Sequence, residues 1–302
     1  MKYLKPTTDI AFKKLFGSAE RKELTISFLN AVLQRREGHR ITMVEFNDNA
    51  NLPETLGKKI SFVDINCTDQ AKKKYIIEMQ VVNEYDFVQR AFYYTSFALS
   101  RQLEAGGQYS KLIPVIFVGV VCYDLLDEKK PLNHYLVANT QTGKVLSNLL
   151  EFHFVETKKF DKTLEQLATD EDKWIYFIKH AGDLKQIPKP LQKPKELVDA
   201  FHVVEKALWT PTELERYKAE EDAVGREHRQ QQGAREEGRA EGKAEGKAEG
   251  LAEGLAEGLA EGELKGKLAA AKNMLAKGFD LDTVASVTGL TQEQLQKINL
   301  KK

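Results

Sequence analysis

The sequence has only two cysteines, Cys67 and Cys122, among its 302 residues. Two thiols are too few for a disulfide scaffold or, alone, for a structural zinc site, so we expect a reducing compartment, the cytoplasm. The longest apolar run, 112–123, contains Pro114 and is shorter than the roughly 20 residues that a membrane-spanning helix needs. The first residues, MKYLKPTTD, contain no apolar segment of the kind that signal peptides have. We therefore expect a soluble intracellular protein without a membrane partner.

An excess of either charge is also absent, because 45 Lys and Arg residues balance 45 Asp and Glu residues. This balance excludes a globally basic nucleic-acid-binding protein, but not a protein with a local basic groove. The sequence contains no glycine-rich phosphate loop of the Walker type and no nucleophile elbow. Hydrophobic residues make up 42% of the chain and aromatic residues 9%, which is enough for a packed core and excludes a wholly disordered chain.

At the start of the chain two helices are predicted. The first begins at an N-cap, either Thr8 or Asp9, and ends at Gly17. The second runs from about Glu20 to Arg36. Several basic side chains lie outside the apolar faces of these helices and form either a solvated surface or the edge of a phosphate-binding groove: Lys13, Lys14, Arg35, Arg36 and Arg40.

The most informative segment is KKISFVDINCTDQAKKKYIIEMQVV, residues 58–82. Two β-rich runs, 60–67 and 75–82, flank a polar stretch, and this arrangement is typical of a hairpin. We take the centre of the loop to be Ala71, because this position makes the two strands symmetric about it. The segment therefore predicts a hairpin with a defined register.

This register sets Asp64 opposite Glu78 and Phe62 opposite Gln80, with the Cβ atoms of each pair about 5 Å apart. Two carboxylates at that distance repel each other unless a cation lies between them. Oxygen ligands on a rigid hairpin are typical of a Mg²⁺ or Mn²⁺ site with positions left for water and phosphate. The spacing leaves one alternative open, which is an acidic strand face that is merely solvated.

A helix is predicted over 86–105, ending at the pair of glycines that follows. Its Arg90 is a candidate contact for a scissile phosphate, since a guanidinium binds phosphate in a bidentate manner. Tyr93 and Tyr94 either assist Arg90 or belong to an aromatic core face.

Three further strands are predicted to complete a mixed sheet. The run 112–123 is continuously apolar and rich in β-branched residues, as expected of a strand that is buried on both faces. The other two are HYLVA (134–138) and EFHFVE (151–156). The histidines of this region lack the spacing of metal ligands, and we interpret them as ordinary strand or helix positions: His134, His153 and His180.

After residue 186 the composition changes. The segment IPKPLQKP (187–194) has three prolines and is interpreted as a linker or surface strap, and 195–231 has helical periodicity. From Gly238 to Gly266 a glycine stands at every fourth position, in repeats such as KAEG and LAEG. Each glycine costs about 1 kcal/mol in a helix interior, and Glu residues four apart repel each other, so we predict a marginal helix or a flexible tether. The alternative is a glycine stripe that packs against a second copy.

The last residues, 264–302, predict a small helical unit. Two short helices around Gly289 resemble a helix-turn-helix, but they carry almost no basic side chain where a recognition helix needs one. We therefore favour packing or homo-oligomerisation as the use of this unit.

Several blocks of the sequence resemble a known family. VDI (63–65) followed by IIEMQ (76–80) is similar to the active-site motif of the PD-(D/E)XK nuclease superfamily. Within that superfamily, the sequence resembles the Rpn/YhgA-like recombination-promoting nucleases, which are also described as PD-(D/E)XK transposases. This likeness is carried by the opening TDIAFKKLFG, by QRAFYYTSFALSRQLEAGGQYSKLIPVIFVGV (89–120) and by the terminal VTGLTQEQLQKI. The resemblance covers about residues 1–300.

The resemblance implies roles for four residues. Asp64 matches the metal-binding Asp of the motif, and Glu78 matches its second acidic ligand. Gln80 stands where the superfamily usually has Lys, although Gln is usual in the family resembled. A neutral Gln can orient the attacking water by hydrogen bonding but brings no charge. Asp9 matches an N-terminal acidic residue that would be a further metal or water ligand, while Val63 replaces the usual proline of the motif.

The expected fold is α/β, a PD-(D/E)XK restriction-endonuclease-like core in which helices flank a mixed sheet, with a helical C-terminal extension that carries the glycine repeat. The expected regions are a nuclease-like domain over 1–186, a linker and helical connector over 187–237, the tetrapeptide repeat over 238–263 and the helical unit over 264–302.

The resemblance implies a Mg²⁺-dependent DNA endonuclease linked to recombination, transposition or mobile-element defence, with Mn²⁺ as the alternative ion. The expected partner is DNA, and a homo-oligomer through the C-terminal helices is left open. The alternative function is a catalytically weak or inactive DNA-binding or assembly protein with the same fold.

Overall fold

The computed structural model describes residues 2–47, 64–104 and 106–299. The helices in these ranges are α1 (Asp9–Phe16), α2 (Lys22–Val32), α3 (Phe87–Ser100), α4 (Asp170–His180), α5 (Lys195–Val203), α6 (Pro211–Ala276), α7 (Leu281–Thr288) and α8 (Gln292–Asn299). The strands are β1 (Val44–Phe46), β2 (Ile65–Asp69), β3 (Lys74–Gln80), β4 (Val115–Val121), β5 (Leu132–Ala138) and β6 (Val145–Glu156). None of the helices in the described ranges combines the length and apolar character that crossing a membrane requires.

The described strands form one mixed sheet in the order β1-β2-β3-β4-β6-β5. The central strands β3, β4 and β6 are parallel, whereas β1, β2 and β5 join their neighbours in antiparallel fashion. Every residue of β4 is buried, as its apolar sequence predicts for a central strand covered on both faces. The predicted α/β architecture with a mixed sheet is thus confirmed.

Helices cover both faces of the sheet. Because side chains alternate along a strand, Ile77 and Val118 belong to a core cluster that also contains residues of α1, α2, α4 and α5. On the other face, Phe87 of α3 packs edge-on against Phe117 and Phe154. The sheet therefore separates two cores, and alternate residues of each strand belong to different cores.

Two predicted helices end earlier in the structure than expected. The second helix ends at Val32 instead of Arg36, and the Asn30 side chain bonds both the N–H and the C=O of Ile41 at 2.8 Å, which holds the chain that turns away. The helix predicted over 86–105 ends at Ser100, because the Gln102 side chain makes the same pair of bonds to the segment that leads into β4. In both places a side-chain amide, and not a glycine, binds the chain that leaves the helix.

The strand predictions are confirmed in part. The predicted strand 60–67 is present from Ile65 onward, whereas 60–63, including the expected pairing of Phe62, lie outside the described residues. Strand β1 was not predicted, since three residues, VEF, are too few to show an alternating pattern.

The chain divides into two compact units, Met1–His228 and Arg229–Lys302. The predicted boundary after residue 186 falls inside the first unit. Leu191, in the proline-containing segment interpreted as a linker, is fully buried, and Phe201 of α5 packs edge-on against aromatic rings of the core. These apolar side chains place the segment in the core of the first unit.

In the second unit, the glycine repeat lies within α6, and its side chains are exposed. The predicted low stability of this helix stays a prediction. The short helices α7 and α8 pack against the end of α6 through a small apolar cluster. As predicted, Asp280 caps α7 by accepting a hydrogen bond from the N–H of Thr283 at 2.9 Å, and Gly289 ends it with a left-handed φ of 66°.

Candidate active site

The β2–β3 hairpin has the register that the sequence predicts. Ile65 pairs with Ile77, and one further step of that register sets Asp64 opposite Glu78. The backbone N–H of Asp64 donates a hydrogen bond to Oε1 of Glu78 at 3.3 Å. The N–H of Met79 donates one to Oδ2 of Asp64 at 2.8 Å. The hairpin therefore brings the two predicted carboxylates side by side.

The turn of the hairpin is organised by Asp69. Its Oδ1 accepts hydrogen bonds from the N–H groups of Ala71 (2.8 Å) and Lys73 (3.0 Å), and its Oδ2 accepts one from the hydroxyl of Tyr75 (2.8 Å). Lys72 adopts a left-handed φ of 64°, which closes the turn. Because these contacts fix where the chain reverses, they also fix which residues face each other further along the strands.

Both carboxylates are withdrawn from water, with side-chain exposures of 15% for Asp64 and 3% for Glu78. Burial raises the pKa of Asp64 to about 6, although the N–H of Met79 and the charge of Lys13 act in the opposite direction. Burial, together with the charge of Asp64, raises the pKa of Glu78 to about 8, opposed by the charge of Arg90. The pair therefore resists carrying two negative charges in the absence of an added cation.

This donor set fits a hard divalent cation. Asp64 and Glu78 offer oxygen ligands from neighbouring strands, and oxygen is what Mg²⁺ and Mn²⁺ prefer. A cation that contacts both groups would relieve the repulsion and the desolvation that raise their pKa values.

Lys13 joins α1 to this pair. Its ammonium lies 2.6 Å from Oδ1 of Asp9, four residues earlier on the helix, and 3.4 Å from Oδ1 of Asp64. Burial alone would lower the pKa of Lys13, but its hydrogen bond to Asp9 and the charges of both carboxylates raise it above its usual value. Thr8 caps the helix by accepting a hydrogen bond from the N–H of Ala11 at 3.3 Å, so the alternative cap role of Asp9 is wrong. Asp9 contacts Lys13, and Lys13 contacts Asp64.

Arg90 approaches the pair from α3. Its guanidinium lies 3.7 Å from Oε2 of Glu78 and forms a close ion pair with Glu84, while its Nε is buried without a hydrogen-bond partner among the described residues. The side-chain amide of Gln80 donates to the same Oε2 of Glu78 at 3.5 Å. Tyr94 is buried in the core beneath α3. The predicted residues Gln80 and Arg90 thus both contact Glu78.

The five basic residues considered as one groove lie in different places. Lys13 is part of the carboxylate site, whereas Lys14 pairs with Glu213 at 2.5 Å. The three arginines line a separate cavity beside α2: Arg35, Arg36 and Arg40. Lys13 did not stand out among these basic residues in the sequence, although its spacing of four from Asp9 on a helix was a signal for a pair.

The interpretation of the strand histidines as ordinary positions missed a second cluster. His153 Nε2 lies 2.7 Å and His134 Nε2 lies 3.1 Å from the same Oε1 of Glu151. His134 pairs with His153 across β5 and β6, and Glu151 and His153 are two apart on β6. The spacing of these residues along the sequence does not reveal the contact between them, because the contact forms only when β5 pairs with β6. His180 lies on α4, next to Tyr176, with ring centroids 4.5 Å apart.

Comparison with known proteins gives two matches. A family model described as PD-(D/E)XK nuclease family transposase matches residues 6–230. A second, described as the C-terminal HTH domain of the Rpn/YhgA-like nuclease family, matches residues 258–300. Neither a curated protein nor a solved structure gives a significant match.

Proposed function

Because the chain belongs to the PD-(D/E)XK nuclease family transposases, we propose that it is a metal-dependent DNA endonuclease that hydrolyses phosphodiester bonds. The observation that carries the proposal is the buried pair of Asp64 and Glu78, whose hydrogen bonds and raised pKa values differ from those of a solvated acidic face. The proposal includes a role in recombination, transposition or mobile-element defence, which the family description supports.

In this proposal Asp64 and Glu78 hold the metal ion, Mg²⁺ or alternatively Mn²⁺. When bound, such an ion polarises a phosphoryl oxygen and lowers the pKa of a water molecule. The backbone N–H of Met79 keeps Asp64 in place by its 2.8 Å hydrogen bond, and the N–H of Asp64 does the same for Glu78.

Gln80 orients the attacking water. Its side chain lies beside Glu78, and an amide can both donate and accept hydrogen bonds. A neutral amide does not stabilise the negative charge that develops on the phosphoryl oxygens, so that charge needs another partner.

Lys13 is that partner in our proposal. Its raised pKa keeps the ammonium protonated at neutral pH, and it lies within 3.4 Å of Asp64. Asp9 holds Lys13 in this position through the 2.6 Å ion pair. A cation from α1 thus supplies the charge that Gln80 lacks on β3.

Arg90 contacts the phosphate of the bound strand. Its guanidinium now pairs with Glu84 and lies near Glu78, and a phosphate group offers the same bidentate acceptor geometry as a carboxylate. Binding of DNA would therefore exchange the ion pair with Glu84 for one with a phosphate.

DNA is the proposed partner of the C-terminal unit as well, since the matched family domain is a helix-turn-helix. Homo-oligomerisation through the same helices stays a prediction. The free thiols Cys67 and Cys122 suit the reducing cytoplasm that we propose as the compartment.

The experiment is a plasmid-nicking assay with Mg²⁺, with and without EDTA. We expect nicking by the full chain that EDTA abolishes and that Asp64→Asn reduces by at least about 10²-fold. The matched control is Asp127→Asn, which changes an exposed carboxylate outside the site and should leave the rate unchanged. Equal nicking by Asp64→Asn and the parent would contradict the assignment of the site.

One observation favours the alternative function, a DNA-binding protein without nuclease activity. Gln80 is neutral where the superfamily usually has a lysine, so this strand position brings no positive charge to the reaction. The same assay separates the two functions, because a protein of the second kind would shift DNA in a gel but would not nick it with either Mg²⁺ or Mn²⁺.

A further inference from the structure

His134, Glu151 and His153 form a cluster on the face of the sheet that is opposite to Glu78. Val118 of β4 pairs with His153 on one side and with Ile77 on the other, so these residues share one face. Glu78 is the next residue after Ile77 and therefore points to the other face. The cluster is thus separated from the carboxylate pair by the thickness of the sheet.

The three side chains converge on a small volume. Their ligand atoms all lie within 4.8 Å of one another. The imidazole rings of His134 and His153 stack with centroids 4.2 Å apart and an angle of 10° between their planes. Because the rings are parallel, both present Nε2 to the same carboxylate oxygen of Glu151.

The surroundings of the His153 ring also suit a metal ligand. Nδ1 of His153 is buried and has no hydrogen-bond partner among the described residues. Without metal, Nε2 of His153 can donate its proton to Glu151, and once a cation replaces that hydrogen bond the ring proton can reside on Nδ1 and leave Nε2 to bind the metal.

We propose that His134, Glu151 and His153 bind a transition-metal ion of the Zn²⁺ type, separate from the metal ion of the active site. Two imidazole nitrogens and one carboxylate oxygen are a ligand set that zinc uses, with a fourth position left for water, whereas Mg²⁺ prefers oxygen alone. His134 is 44% exposed and gives the ion a route from solvent to the more deeply buried His153.

The ion would join the edge strand β5 to β6. Just beyond His134 the pairing of these strands is irregular, with register shifts at Leu136/Val137 and Val137/Ala138. A metal bridge at His134 would hold the strand where its hydrogen bonding begins to fail. Arg35 lies 3.8 Å from the same oxygen of Glu151, and its charge weakens the binding of a cation compared with a site that lacks such a neighbour.

The test uses the full chain without a histidine tag and with Asp64→Asn, so that the active-site carboxylates do not compete for the ion. After removal of metal with a chelator, Co²⁺ is titrated and followed by its visible d–d absorption, and Zn²⁺ content is measured by elemental analysis after dialysis. We expect one ion per chain, with Zn²⁺ displacing bound Co²⁺. Since nicking is not a readout, the result is independent of the proposed nuclease activity.

Two variants are compared with a control. His134→Ala removes a partly exposed ligand. Glu151→Gln removes the negative charge of a buried ligand but keeps its volume. Each variant should lower the affinity for Co²⁺ by at least about tenfold. His39→Ala, an exposed histidine outside the cluster, should leave it unchanged. Thermal melts without metal verify that each variant folds. Failure of the parent to bind Co²⁺ or Zn²⁺ in the micromolar range, or unchanged affinity in a folded His134→Ala protein, would overturn the proposal.

Discussion

The ammonium of Lys13 lies 3.4 Å from Oδ1 of Asp64 and so connects the first helix to the hairpin that carries both predicted metal ligands. Gln80, which lies beside Glu78 on the same strand, is neutral. The positive charge beside Asp64 therefore comes from a residue far away in the sequence, and Arg90 supplies another beside Glu78.

Replacing Lys13 by Met should slow nicking by about 10²-fold, because the charge that develops on the phosphate loses its cation. The affinity for Mn²⁺ should be unchanged or higher, since the ammonium no longer competes for Asp64. The measurement is the nicking rate together with Mn²⁺ binding. Lys111→Met, at the far end of the parallel strands, is the control, and an unaltered rate for Lys13→Met would contradict the role given to Lys13.

Replacing Gln80 by Lys should preserve the fold and retain activity. Gln80 is only half-buried, and its amide lies 3.5 Å from Oε2 of Glu78, so an ammonium there would find an ionic partner. We expect nicking at least as fast as that of the parent, and a rate that is less sensitive to Lys13→Met in the double variant. An unfolded Gln80→Lys protein would instead mean that this position requires an apolar environment.

The stability of the metal-free protein should decrease as the pH rises. Burial raises the folded-state pKa of Asp64 to about 6 and that of Glu78 to about 8, whereas their ordinary values are 3.8 and 4.5. The folded state therefore holds protons that the unfolded state has released, and this contribution is fully present below the ordinary values and is lost as the pH passes through the folded values.

Thermal unfolding in EDTA on either side of these folded values measures this effect. Glu78→Gln, which keeps the shape and removes the charge, should flatten the pH dependence and raise the free energy of unfolding at the alkaline end by on the order of 1–3 kcal/mol. At the alkaline end, Mg²⁺ should raise the melting temperature of the parent. It should not raise that of Glu78→Gln, because this variant lacks one of the two carboxylate ligands. A steeper loss in Glu78→Gln than in the parent would contradict the interpretation.

The sequence sufficed to predict the parts of the site that depend on local spacing. The register of the hairpin follows from alternation and from a short symmetric loop, so these two features alone assign Asp64 and Glu78 as neighbours. The contact between His134 and Glu151 could not be predicted. The register of β5 against β6 shifts between the turn and His134, at Leu136/Val137 and Val137/Ala138, and no local sequence pattern reveals these shifts.

The extent of the first unit could not be predicted either. Three prolines in 187–194 are typical of a linker, yet Leu191 of that segment is fully buried. Its burial depends on packing against α4 and α5 in the core of the first unit, and local sequence propensity carries no information about such packing. Lys13 shows the same limitation, since its distance from Asp64 depends on how α1 packs against the hairpin.

Replacing Asp69 by Ala should destabilise the protein by about 3 kcal/mol, because three hydrogen bonds are lost and the hydroxyl of Tyr75 is left buried without a partner. Nicking should fall as well, since the turn determines the register of the carboxylates. Urea unfolding and the nicking rate measure the two effects.

Lys72→Gly is the matched change in the same turn and should be neutral or stabilising by up to about 1 kcal/mol, because glycine tolerates the left-handed φ of 64°. Equal destabilisation by both variants would argue against the role of the Asp69 side chain.

Removing part of the tetrapeptide repeat should leave the first unit unchanged. Deletion of 251–258, which is two whole repeats, takes out a stretch whose side chains are exposed. Apart from the adjoining residues and the backbone of its own helix, an added Cβ at Gly254 or Gly258 would meet no described atom within 4 Å, so these glycines are not required for close packing against other parts of the chain. We therefore expect the same melting temperature for the first unit and the same rate of nicking of naked plasmid.

The alternative is that the repeat packs against a second copy, and the same deletion tests it. Leu251, Leu255 and Leu259 are 74%, 64% and 66% exposed and stand four residues apart, so they offer some apolar surface. Leucine occupies this position in only three repeats, however, and Arg or Lys occupies it in the three before them, whereas a stable helical pair needs a continuous seam of apolar residues at two positions of every seven. A dimer held by the repeat would shift toward monomer in sedimentation after the deletion, and cleavage of both strands would fall relative to single-strand nicking. Because each glycine also costs about 1 kcal/mol in the helix and neighbouring Glu side chains repel each other, we expect neither change, and the sedimentation coefficient should decrease only by the loss of mass.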